Sequence, residues 1–174
     1  LAELLAAPRR DAPPLGPTLR IASYNVHRWA GVRGGRQYQP ERAFAVIEEL
    51  GAAVLALQEV LQPADGTDPL RALAEHLGFH LAFVVTRLHK RGELGNAVLS
   101  RWPLAGALAI DLSFNRLERR AALAVRVSDG DRSLQVAATH LALVDRTRAR
   151  QVQALLDHPH LADSPALQGG DKNA

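Results

Sequence analysis

Residues 54–60 read Val-Leu-Ala-Leu-Gln-Glu-Val. An apolar run this short is too brief for a helix and suits a buried strand, ending here at Gln58-Glu59. A core strand has no use for a carboxylate at its tip, so Glu59 invites a search for similar strand ends. Upstream, Leu19–Val26 alternates apolar and polar residues and finishes on Asn25. Downstream, Ser133–His140 runs Ser-Leu-Gln-Val-Ala-Ala-Thr-His, and Ala166–Gln168 leads into Gly169-Gly170-Asp171-Lys172-Asn173. In layered α/β proteins, sites form where strand ends converge. Each residue alone has a plain structural explanation; Asn25, Glu59, His140 and Asp171 together, in this order, point to a site.

The intervening sequence supplies the layers. Pro40 suits the first turn of a helix that Gly51 stops, and Asp68-Pro69 opens a second that Gly78 ends. Phe79–Thr86, Gly95–Ser100 and Leu104–Leu112 read as strands, with Leu88–Glu93 a basic loop between the first two. Asp129-Gly130 marks a hairpin between Ala121–Ser128 and Ser133–His140. Asp145 is placed to cap a helix running to Asp157. Residues 1–18, with Pro8, Pro13, Pro14 and Pro17, read as a flexible leader ahead of one domain over residues 19–174. Helices alternating with strands, then a hairpin, indicate α/β with mixed sheets.

Composition narrows the chemistry. The chain has 174 residues, 47% hydrophobic and 22% charged, enough for one domain with a sizeable core. It contains no cysteine, which removes disulfides, thiolate metal sites and cysteine nucleophiles, and fits a cytoplasmic location. No apolar run is long enough for a transmembrane segment. The net charge of +3 favours an anionic substrate locally but is far from a dedicated nucleic-acid surface. Nothing in the sequence sets an oligomeric state.

Ser23-Tyr24-Asn25-Val26, Leu57-Gln58-Glu59-Val60, Gly95-Asn96-Ala97-Val98-Leu99-Ser100, Thr139-His140-Leu141 and Gly170-Asp171-Lys172-Asn173-Ala174 resemble the successive motifs of the endonuclease/exonuclease/phosphatase superfamily. The similarity runs from Leu19 to Ala174. It implies a four-layer α/β sandwich, two packed mixed β-sheets flanked by helices, and hydrolysis of a phosphodiester or phosphomonoester by activated water. It further implies that Asn25 and Glu59 hold Mg²⁺, with Mn²⁺ the alternative, and that His140, Asp171 and Asn173 are catalytic. His140 would donate to a phosphoryl oxygen or move a proton, Asp171 would orient or deprotonate the water, and Asn173 would bind a phosphate oxygen. Arg120 is a candidate phosphate clamp, and Asn96 joins it as a candidate substrate-binding residue.

Two departures stand out. Lys172 occupies a position that is usually apolar or aromatic in the motif. Relatives also continue to a second Asp-His pair, which none of the seven histidines supplies. The resemblance therefore implies a domain whose C-terminal part is missing from this chain, so that the chain itself is inactive. The rival to an enzyme is a non-catalytic binding module of the same fold. Arg28, Arg33, Arg36, Arg87, Lys90 and Arg91 could follow a nucleic-acid backbone, but stacking aromatics are few. A small or lipid-linked phosphodiester is thus favoured over duplex DNA.

Overall fold

Alternation along Val54–Leu57 divides the molecule into layers: Val54 and Ala56 enter one core, Leu55 and Leu57 another. The computed structural model describes residues 2–5, 12–30, 38–114, 119–162 and 166–171, with residues 162 and 166–171 described in backbone only. The strands are β1 (Ala2–Leu5), β2 (Ile21–Asn25), β3 (Val54–Pro63), β4 (His80–His89), β5 (Gly92–Ser100), β6 (Leu104–Asp111), β7 (Ala121–Ser128), β8 (Ser133–His140) and β9 (Ala166–Asp171). The helices are α1 (Pro40–Leu50), α2 (Pro69–Leu77), α3 (Asp145–Leu156) and α4 (Pro159–Ala162).

One sheet has the order β1-β4-β5-β3-β2, the other β6-β7-β8-β9. Both are mixed: β2 runs parallel to β3 and β8 parallel to β9, while the remaining pairs are antiparallel. Val54, Ala56, Ala82, Val84 and Val98 face Leu123, Val125, Val136 and Ala138 to form the core between the sheets. Ile47, Leu70 and Leu73 of α1 and α2 cover the outer face of the first sheet. Leu155 and Leu161 of α3 and α4 cover that of the second. This is the expected four-layer sandwich. No helix among the described residues is long and apolar enough to cross a membrane.

Several local expectations are corrected. Within the lead-in read as flexible, Ala2–Leu5 is an edge strand paired antiparallel with β4. Leu15 is buried, its N–H donating to Asp129 Oδ2 at 2.6 Å, and Trp102 Nε1 donates to Pro13 O at 2.6 Å. These ties are non-local, so prolines alone could not announce them. Residues 88–93 are not a loop: β4 and β5 continue until only Lys90 and Arg91 turn between them. Asp145 is the first helical residue rather than the cap, and its carboxylate pairs with Arg148. Asp68 does cap α2, accepting from Arg71 N at 2.8 Å.

Two histidines tie the fold to pH. Burial lowers the pKa of His80, and burial followed by the field of Arg28, Arg91, Arg87 and Lys90 lowers that of His89, both from 6.5. Both therefore bind protons more readily in the unfolded chain. Stability should be fully present above 6.5 and decline as pH falls below it. Thermal melts at about pH 7.5 and about pH 5.5 check this, with the decline shallower in His80→Gln. An unchanged slope in that variant would remove His80 from the account.

Candidate functional site

The site begins with an irregularity in β3. Leu57 pairs with Ala97 of β5, but the next pair is Val60 with Gly95, so three steps on β3 match two on β5. The extra residue is a β-bulge. Leu57 and Val60 both pack in the outer core, which strict alternation would forbid. Glu59, at φ 51°, absorbs the reversal. The strand thus passes through the expected end at Gln58-Glu59 and continues to Pro63. Gln58 is fully buried and secures the bulge, its Nε2 donating to Ala56 O at 3.0 Å and Ser23 Oγ at 3.2 Å.

A second strained segment lies beside it. His27, Arg28 and Trp29 form a left-handed turn with φ of 47°, 59° and 60°. Such conformations cost L-residues on the order of 1–3 kcal/mol each, so the surroundings must impose them. Trp29 is the anchor: it is buried, its Nε1 donates to Leu61 O at 2.7 Å, and its ring meets Phe44 edge-on. Asn25 Oδ1 accepts from His27 N at 2.9 Å and starts the turn. The result sets His27 Nδ1 and Arg28 Nε each 3.8 Å from Glu59 Oε2.

The opposite sheet completes the site. His140, last in β8, brings Nδ1 to 3.6 Å from Glu59 Oε1, although the two residues come from different sheets. Their side chains are 15% and 17% exposed, open only to a cleft. That cleft, about 310 Å³, is lined by Glu59 and His140 together with Arg87, Asn96, Arg119 and Arg120. Arg120 Nη1 donates to His140 O at 3.4 Å. Asn96 is buried and bridges the sheets, its Nδ2 donating to Ala121 O at 2.8 Å. In the β8–β9 ladder Asp171 stands opposite His140. In the β2–β3 ladder Asn25 stands opposite Gln58. Asn25, Glu59, His140 and the Asp171 backbone thus meet along one seam, where β9 also approaches β2 and β3. Lys172 and Asn173 lie outside the described residues, as do Arg33 and Arg36.

Sequence reasoning missed His27, two positions beyond Asn25, and Gln151. Gln151 is buried in α3, accepts from Ala142 N at 2.8 Å and donates to Leu112 O at 3.0 Å, tying the segment after His140 to the end of β6. A polar residue at a core-facing position of an otherwise soluble helix was the available signal.

For a metal, the site offers the Glu59 carboxylate and the Asn25 amide oxygen, with no sulfur nearby. No group of three His, Asp or Glu side chains among the described residues forms a closed cage. A carboxylate and an amide oxygen are donors of the kind that a hard, largely hydrated ion accepts.

A sequence profile described as the Endonuclease/Exonuclease/phosphatase family matches residues 22–174. YbhP of Escherichia coli K12, an uncharacterized protein, is 28% identical over 171 residues, covering 90% of this chain and 67% of its own length. The crystal structure of an endonuclease/exonuclease/phosphatase from Beutenbergia cavernae superposes with a TM-score of 0.66 at 28% identity, over 80% of this chain and 44% of that one. A family protein from Leptotrichia buccalis gives 0.72 at 17% identity, over 90% and 67%. The chain thus spans under half of the Beutenbergia protein and about two thirds of the other two.

Proposed function

Because the chain belongs to the endonuclease/exonuclease/phosphatase family, we propose that it supplies the core of a Mg²⁺-dependent phosphoesterase, with Mn²⁺ as an alternative ion. Family membership supports a phosphoesterase-type function; the ion, the residue roles and a cytoplasmic setting are our reading. The observation that carries it is the 3.6 Å approach of Glu59 and His140 from opposite sheets at the base of an Arg-lined cleft. A carboxylate and an imidazole are not brought together across a core seam by packing alone.

In this reading Glu59 and Asn25 hold the ion, which when bound neutralises charge on the phosphate. His140 donates to a phosphoryl oxygen or carries a proton. Arg120, which donates to the His140 carbonyl, clamps the phosphate from the β7 side. Asn96, hydrogen-bonded to Ala121 O, keeps that wall in place beside the substrate. Asp171 orients or deprotonates the attacking water and Asn173 holds a phosphate oxygen. With aromatics at only 5% of the sequence, few side chains are available to stack on bases, which favours a small or lipid-linked phosphodiester over duplex DNA.

Run on this chain extended to the length of its relatives, the test is hydrolysis of bis(p-nitrophenyl) phosphate and p-nitrophenyl phosphate with Mg²⁺, Mn²⁺ or EDTA. Metal-dependent release of nitrophenol, greater from the diester and abolished by EDTA, is expected. No turnover with either ion on either ester would leave the binding-module reading in its place.

A further inference from the structure

Leu88 is 81% exposed, more than any other large apolar side chain among the described residues. A single exposed leucine is ordinary; its company is not. It sits in Arg87-Leu88-His89-Lys90-Arg91, at the tip of the β4–β5 hairpin. Arg87 and Leu88 also line the cleft that holds Glu59 and His140. On the facing lip, Phe114 is 47% exposed beside Arg119 and Arg120, and an adjoining hollow there shares Thr86 with the cleft.

The hairpin tip is built to be stiff. Arg91 N donates to His89 Nδ1 at 3.2 Å, Ala64 N donates to Arg91 O at 2.9 Å, and Arg91 lies over the Tyr38 ring. A pre-ordered tip pays little further entropy on docking. Two apolar knobs interleaved with cations, either side of a cleft mouth, match a surface that is anionic outside and apolar just beneath. A duplex would reward the arginines and lysine but not an exposed leucine.

We propose that this lip of the cleft, formed by the β4–β5 hairpin with Phe114 and Arg119 opposite, docks on an anionic lipid bilayer. Arg87, Lys90 and Arg119 meet the headgroups while Leu88 and Phe114 enter the acyl boundary. The cleft then opens onto the headgroup layer. The proposal rests on the phosphoesterase reading only in what the cleft does once docked; docking itself needs no turnover.

Co-sedimentation with phosphatidylglycerol vesicles, against pure phosphatidylcholine vesicles, tests it directly. The protein should bind the anionic vesicles and lose binding as salt rises. Leu88→Ser should weaken binding about tenfold, and the Arg87→Ser/Lys90→Ser double variant about twentyfold. Both changes are at exposed positions, and circular dichroism verifies that the variants remain folded. Failure of the wild type to bind, or equal binding by wild type and both variants, would overturn the proposal. Binding of a short DNA duplex through these residues without vesicle binding would do the same. Vesicle binding by the chain extended to the length of its relatives, with no hydrolysis of either ester, would sink the phosphoesterase reading and leave docking intact.

Discussion

In the chain extended to the length of its relatives, Glu59→Gln should lower kcat/KM on a phosphodiester by about a thousandfold or more, equivalent to about 4 kcal/mol of transition-state stabilisation. The substitution keeps the shape of the side chain and removes its charge. In the folded protein that charge faces His27, Arg28 and His140, all within 3.8 Å. An amide in its place offers one oxygen to a cation, carries no charge, and turns an N–H₂ group that cannot accept toward a site that includes the Arg28 guanidinium. Weak Mg²⁺ or Mn²⁺ binding, followed by calorimetry or Mn²⁺ relaxation, should disappear with the activity. The melting temperature should stay near that of the wild type, because among the described residues the carboxylate makes only longer ion-pair contacts, at 3.6 to 3.8 Å, in the lining of a cleft. Wild-type metal binding in the variant would remove Glu59 from the site whatever its activity.

Gly95→Ala should be strongly destabilising, a single methyl set into the middle of the first sheet. Its Cβ would lie 2.1 Å from Val84 O and 2.6 Å from the Phe83 ring. Both are held in β4, which pairs with β5 along its length. Relief requires the two strands to part at the cleft. The register shifts of β3, between Leu57 and Val60, and of β4, between Val85 and Arg87, both fall opposite this part of β5. A loss of about 3 kcal/mol is expected, lowering the melting temperature by roughly 6–12 °C for a chain of this size. Gly16→Ala is the control, since its Cβ would meet nothing nearer than 3.7 Å. A Gly95→Ala protein melting within a degree of wild type would show that the strands part freely.

The sandwich was legible because its signals are local. Periodicity in Val54–Leu57, proline and glycine at the ends of α1 and α2, and Asp129-Gly130 each state their own structure. The polar strand ends were legible for the opposite reason, as exceptions to the burial around them. What stayed hidden depends on distant partners. The bulge at Glu59 exists only against β5, and the left-handed turn exists because Trp29 finds Leu61 and Phe44. Edge strand β1 needs β4, and the hydrogen-bond partners of Gln151, Ala142 and Leu112, come from outside its helix.

The two sheets follow one another along the chain without interleaving: β1 to β5 lie within residues 2–100, and β6 to β9 within residues 104–171. Asn25 and Glu59 belong to the first stretch, His140 and Asp171 to the second. Arg101, Trp102 and Pro103 form the covalent bridge from one to the other. The pocket is therefore a joint between two consecutive halves, each carrying half of the candidate site residues and neither able to assemble the constellation by itself. Chemistry at such a joint reports on how the halves mate. A slip of an ångström along their shared face would switch it off while leaving each sheet intact.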